Sequence, residues 1–88
     1  MNYYASCDPP HPGGTPPTII IAAESAFDAK AFAQSKLSGT NLMVQPTGDD
    51  ARTDYELRWV GSDYGAARVR RMQVRQRTGW AWSEWTDC

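Results

Sequence analysis

Thr18-Ile19-Ile20-Ile21-Ala22-Ala23-Glu24-Ser25-Ala26-Phe27-Asp28 is the stretch that decides the fold. Its first half, Thr18 to Ala23, is rich in β-branched residues and continuously apolar. That pattern predicts a central strand, buried on both faces or nearly so. Its second half passes at once into a helix start. Ser25 stands as the N-cap, and Asp28 three residues on completes a pattern of the capping-box type. The helix should run from about Ala26 to Leu37, with Gly39 ending it in the C′ place. Ala26, Ala29, Ala33 and Leu37 fall on one face, with Phe32 at its edge. Small residues there let a helix lie close on a sheet.

Working outward, Asn2 to Ser6 reads as a short strand carrying Tyr3 and Tyr4. Between the two strands, residues 8–17 hold five of the six prolines. Proline lacks the N–H donor and fixes φ, so this is a stiff extended loop rather than a helix or central strand. It serves either as a rigid connection between strands, the preferred reading, or as a polyproline-type ligand for an aromatic groove. Beyond the helix come a short strand at Asn41 to Gln45 and a turn at Pro46–Asp50. Tyr55 to Val60 alternates with Tyr55, Leu57 and Trp59 on one face. Gly61 to Gly65 reads as a turn. Ala67 to Arg77 reads as a long strand, with a helix as the competing assignment. A β-bulge near Arg70-Arg71 is needed to bring Val69, Met72 and Val74 to one side. Thr78-Gly79 signals a hairpin, and Trp80 to Thr86 the last strand. The expectation is a single α+β domain over 1–88, with one helix packed on a mostly antiparallel sheet in the order β-β-α-β-β-β-β.

The chain has 88 residues, 41% of them hydrophobic, which suits one small globular domain rather than a disordered segment. The net charge of −1 sets up no global field toward DNA or membrane. The charge is nevertheless uneven: all five charged residues between Ala66 and Arg77 are Arg. The longest apolar run is too short to span a bilayer, so no membrane partner is expected. Met1-Asn2-Tyr3-Tyr4 lacks the basic and apolar regions of a secretory signal. The expectation is therefore an intracellular product, or one released by lysis. Cys7 and Cys88 read as free thiols, with a bond between them as the alternative.

No catalytic set emerges. His11 is the single histidine and lies among prolines, and no phosphate loop or zinc-protease motif is present. Asp49, Asp50 and Asp54 lack the ligand spacing of a calcium loop and read as a solvated turn. The expectation is no enzyme, no cofactor, no metal and no small-molecule substrate. The Arg-bearing strand is the most informative surface. Arg68, Arg70, Arg71, Arg75 and Arg77 are the candidate partner-binding residues, since guanidinium forks take carboxylates and phosphates in pairs of hydrogen bonds. The competing use is pairing with Glu56, Glu84 and Asp87 on flanking strands. Trp80 and Trp82 are expected to fill the core. Trp85 is left as an anchor, or as a ring stacked on a neighbouring Arg. Tyr3 and Tyr4 are added as anchors.

Trp82-Ser83-Glu84-Trp85-Thr86, preceded by Gln73-Val74-Arg75-Gln76-Arg77, resembles the WSXWS box of cytokine receptors. In those fibronectin-type domains Arg side chains stack between Trp rings. The capped helix has no place in an all-β sandwich, so the run is read as local convergence on the same Arg–Trp stacking. Ala23-Glu24-Ser25 with Ala29-Lys30 and Ala33, and the terminal Trp85-Thr86-Asp87-Cys88, resemble the strand-to-helix junction and end of small phage-encoded accessory proteins. Some type I anti-CRISPR inhibitors are among these. The resemblance carries over no site residues. It implies a non-enzymatic, cement-like virion protein whose partners are other subunits of an assembly. An inhibitor of a host defence nucleoprotein is the alternative, and a nucleic-acid binder using the Arg strand comes after it.

Overall fold

The computed structural model describes residues 1–9, 11–48, 50, 52–64 and 67–87, except for the side chains of 62–64 and 67–69. The elements in chain order are β1 (Asn2–Ser6), β2 (Thr18–Ala22), α1 (Ala26–Lys36), β3 (Met43–Thr47), β4 (Tyr55–Tyr64), β5 (Ala67–Thr78), β6 (Ala81–Trp82) and β7 (Thr86–Asp87). They form one sheet in the order β3-β1-β2-β4-β5-β6, with β7 also paired to β5. Every pairing is antiparallel except β2 with β4. With one helix on one face, the architecture is α+β.

The opening stretch folds as its residues dictate. β2 lies between β1 and β4 as a central strand, but it is buried on one face rather than both: Ile21 is fully buried, Thr18 is exposed and Ile19, Ile20 and Ala22 are half-buried, because the one helix covers one face of the sheet. The Ser25 hydroxyl accepts the Asp28 N–H at 3.2 Å and so caps α1. Ala29, Phe32 and Ala33 form the buried face. They pack on Tyr3 and Ala5 of β1, Ile21 of β2, and Ala23. Phe32 is thus at the centre of this face rather than its edge, and Ala26 is exposed. The proline-rich loop joins β1 to β2, an antiparallel pair, as a rigid strand connection.

Gly39 is not the helix stop. The helix ends at Leu37, which is extended at φ −108° and donates its N–H to Ala33. Gly39 instead lies flush against Cys7 and the carbonyl of Asp8. The positive φ after the helix belongs to Asn41, at 55°. β3 begins at Met43 and runs through Pro46, two residues past the expected end. A proline is tolerated because β3 is the edge strand and one side of it needs no donor.

Asp54 seats the parallel junction. Its carboxylate accepts the Ile20 N–H at 2.9 Å, and its own N–H goes to the Ile20 carbonyl at 2.7 Å. From there β4 continues through Gly61 to Tyr64, so the expected turn at 61–65 is mostly strand. The register with β5 is unbroken from Tyr55↔Gln76 to Tyr64↔Ala67, and residues 65 and 66 fall outside the description. A long cross-strand ladder overrides the local turn preference of Gly-Ser-Asp. The same register removes the expected bulge. Arg70, Met72 and Val74 share the α1 face, while Arg71, Gln73, Arg75 and Arg77 share the other.

The last segment also departs from expectation. It makes two short bridges to β5, broken at Ser83–Trp85, rather than one strand. Trp80 is 94% exposed, so it does not fill the core. Cys7 is a buried free thiol, and Cys88 lies outside the described residues. β2 and β4 last pair at Ala22↔Glu56, and the β4–β5 ribbon projects beyond that point. The molecule is accordingly drawn out, 54 Å along its long axis with a radius of gyration of 14.6 Å. A compact chain of this length would have roughly 12 Å.

Candidate protein-interaction site

The sheet face opposite α1 carries a stack of alternating guanidinium groups and indole rings. Arg77 lies over Trp82 at 4.4 Å, and Arg75 over the same ring at 4.7 Å. Arg75 also lies over Trp85 at 4.9 Å, and Arg58 closes the stack over Trp85 at 4.1 Å. Each layer follows from strand geometry. Arg75 and Arg77 are two apart on β5 and so project from one face, and Arg58 lies on the same face of β4. The break between β6 and β7 sets the indoles between them. Ser83 holds that break in place: its N–H goes to the Gln76 carbonyl at 2.8 Å, and its hydroxyl accepts the Gln76 N–H at 2.9 Å.

The guanidinium edges are also occupied. Arg75 donates twice to Glu56 Oε2, at 2.8 and 3.2 Å. Arg58 donates twice to Gln73 Oε1, at 2.8 and 3.0 Å, and Gln73 passes on to Asp87 at 3.1 Å. Arg77 donates to the Thr53 carbonyl at 2.8 Å. Flat stacking on rings combined with edge-on hydrogen bonding is what a guanidinium can do and an ammonium cannot.

The expected partner-binding residues therefore divide. Arg75, Arg77 and Trp85 are brought together, but with each other. Arg71 is exposed and, among the described residues, makes only a long 3.5 Å pair with Asp87. Arg70 is exposed on the opposite face and makes no hydrogen bond or ion pair among the described residues. The side chain of Arg68 lies outside the described residues. Tyr3 is 5% exposed in the core and donates its hydroxyl hydrogen to Met1 Sδ, so it is no surface anchor. Tyr4, on the far face of β1, is exposed. Trp82, expected in the core, is instead half-buried within the stack, between Arg75 and Arg77. Arg58 is a stack member that the residue pattern did not single out, although the alternation of Tyr55 to Val60 already set it on the face opposite Tyr55, Leu57 and Trp59.

Arg75 is the shared layer of the stack. Arg75→Ala is expected to cost about 1–2 kcal/mol, because it uncovers two rings and leaves Glu56 half-buried without its cation. Arg75→Lys should recover less than half, since an ammonium restores charge without the planar stack. Urea denaturation followed by tryptophan fluorescence would check both. A loss under 0.5 kcal/mol for the alanine variant, roughly the scatter of a neutral surface change, would mean the stack adds no stability.

Among the described residues no group of three or more His, Cys, Asp or Glu is placed to hold a metal ion. Asp49 lies outside them, and Asp54 is used by the backbone of β2. Among them, too, no helix is long and apolar enough to cross a membrane. No protein-family model matches the chain, and neither a curated protein nor a solved structure matches it at a significant level.

Proposed function

We propose that this chain is a non-enzymatic protein-interaction module, an accessory or cement-like piece of a larger assembly. A bacteriophage virion is the setting to which the sequence resemblance points. The observation that carries the reading is the projecting β4–β5 ribbon. Beyond Ala22↔Glu56, β4 has no second neighbour among the described residues. Among the described residues, the outer edge of β5 is engaged from Gln73 to Thr78, by β7, by Ser83 and by β6, and no strand pairs with it before Gln73. Open strand edges are templates for another chain, and a two-stranded ribbon is marginal in water alone. Arg70 and Arg71 stand exposed along this edge and favour a partner bearing carboxylates. The phosphate-track reading is weakened, because Arg58, Arg75 and Arg77 are engaged with rings, carboxylate and carbonyl groups of the chain itself.

Quantitative mass spectrometry of purified particles from the source of the sequence tests this. The chain is expected at a fixed copy number per particle. Replacing Arg70 and Arg71 together with Glu should lower its incorporation about tenfold or more, the equivalent of one lost charge-assisted contact or two. Absence from particles, or incorporation indifferent to both changes, would overturn the reading. Fluorescence anisotropy with DNA at two salt concentrations separates the nucleic-acid alternative, whose affinity must fall steeply with salt.

A further inference from the structure

We infer, on the reading of the β4–β5 ribbon as the interacting element, that the outer edge of β5 from Ala67 to Met72 is a strand-addition site. Its guest is an extended acidic segment of a partner protein, paired beside Arg70 and Arg71.

Backbone direction comes first. The Gln76 N–H and carbonyl both point away from β4, to the Ser83 hydroxyl at 2.9 Å and the Ser83 N–H at 2.8 Å. The Val74 carbonyl points the same way, accepting from Thr86 Oγ1 at 3.4 Å. In an unbroken antiparallel ladder such outward groups recur at every second residue. Met72, Arg70 and Arg68 therefore turn their backbone N–H and carbonyl groups outward as well. Among the described residues no strand pairs with them on that side. A row of backbone donors and acceptors of this kind is what an added strand binds.

The chain itself shows the mode of docking. β7 lies antiparallel on this same edge at Gln73 and Val74. Its Asp87 accepts from Gln73 at 3.1 Å and stands 3.5 Å from Arg71. Beyond Asp87 the edge runs on uncovered by any described residue. α1 does not bar the approach, because an open cleft of about 440 Å³ separates it from β5, lined on the sheet side by Met72, Val74, Thr86 and Asp87.

Charge selects the guest. Arg70 and Arg71 project from opposite faces, and directly across the ladder stand Gly61 and Val60, neither of which carries a charge. Arg70 has no ion pair among the described residues, and the side chain of Arg71 is 62% exposed despite its long pair with Asp87. A strand laid beside them with a carboxylate on each face meets both guanidinium groups in charge-assisted hydrogen bonds. A second copy of the same edge does not supply this. Two β5 edges paired together gather the arginines of both copies, and like charges across a strand pair repel.

The probe is a fluorescein-labelled peptide of about eight residues of Val, Thr and Glu, with adjacent Glu at its centre so that each face of the strand carries a carboxylate. Titration with the full chain, read by fluorescence anisotropy, should show binding below about 100 µM. A second probe, N-methylated at its central amides, keeps the charges but loses the donors and should bind about tenfold or more weakly. Arg70→Thr combined with Arg71→Thr should weaken the first probe about tenfold as well, since Thr suits a strand but offers no cation. Amide exchange read by NMR should slow about tenfold or more at Arg70 and Met72 when the probe is saturating. No anisotropy change up to about 1 mM overturns the inference. So does equal binding of the N-methylated probe, equal binding by the double variant, or unchanged exchange at Arg70 and Met72. These readouts are independent of particle incorporation: a chain incorporated through Arg70 and Arg71 that fails them keeps its interaction role and loses the added strand.

Discussion

Phe32→Ala is expected to cost about 3–5 kcal/mol, the usual range for removing a buried aromatic ring. A chain of this length carries a total stability of roughly 4–13 kcal/mol. The variant should therefore show a measurable unfolded fraction near room temperature if the parent lies at the lower end. The size follows from what the ring joins. Phe32 is 6% exposed, sits between Ala29 and Ala33, and meets the Tyr55 ring edge-on at 4.9 Å. The Lys36 ammonium lies 5.7 Å from both ring centroids. Truncation would enlarge the cleft beside the helix and loosen α1 from β4 together. Phe32→Leu keeps most of the volume and should cost less than half as much. Thermal and urea denaturation read both values, and a loss below about 1.5 kcal/mol for the alanine variant would show that the site collapses without strain.

Gly39→Ala is the second large effect, and it comes from too much matter rather than too little. A Cβ there would stand 2.5 Å from Cys7 Sγ and 2.7 Å from the Asp8 carbonyl oxygen. The carbonyl cannot swing aside. The Asp8 N–H is donated to the Thr40 carbonyl at 2.8 Å, and its carboxylate accepts from Thr40 Oγ1 and Asn41 Nδ2 at 3.1 and 2.7 Å. One methyl group should therefore cost about 3 kcal/mol, or some 10–20 °C in melting temperature for a domain this small. Combining it with Cys7→Ala, which removes the sulfur, should restore part of the loss. A melting temperature for Gly39→Ala within 3 °C of the parent, less than about 1 kcal/mol, would mean that the loop and the post-helix turn separate easily.

The parts of the fold legible in the sequence are those set by local chemistry. Thr18 to Asp28 announces a central strand and a capped helix because branching, apolarity and the Ser25 cap all act within a few residues. The proline-rich loop is legible for the same reason. Long-range pairing is what local reading misses. Nothing near Gly61-Ser62-Asp63 reveals the ladder that keeps β4 straight through them, since the partners lie on β5. The supposed bulge at Arg70-Arg71 came from giving Val69, Met72 and Val74 one face. The actual register keeps only Met72 and Val74 over Trp59 and Leu57. Gly39 shows the limit from another side: a helix-end glycine and a close-approach glycine look alike until the approaching chain is known. For the candidate site, Arg75, Arg77 and Trp85 were legible as a group because of their strand positions and the WSXWS-like run. Their engagement with one another depends on Arg58 and on the break held by Ser83, which periodicity does not mark.

The parallel junction of β2 and β4 rests on two residue pairs, Ile21↔Tyr55 and Ala22↔Glu56, with Asp54 beside them. Everything on one side of it, β1, β2, α1 and β3, comes from residues before position 48, and every strand on the other side from residues after position 54. The sheet is thus two sequence-contiguous halves stitched along a short seam. Under mechanical load or partial denaturation the seam is the natural tear line, and each half would keep its own internal ladder after the other had let go. A cut in the segment joining them would leave two fragments whose mutual recognition rests on a few backbone bonds, the grip of Phe32 and Lys36 on Tyr55, the Trp59–Asp28 hydrogen bond and the packing of Leu57 and Val74 on the core.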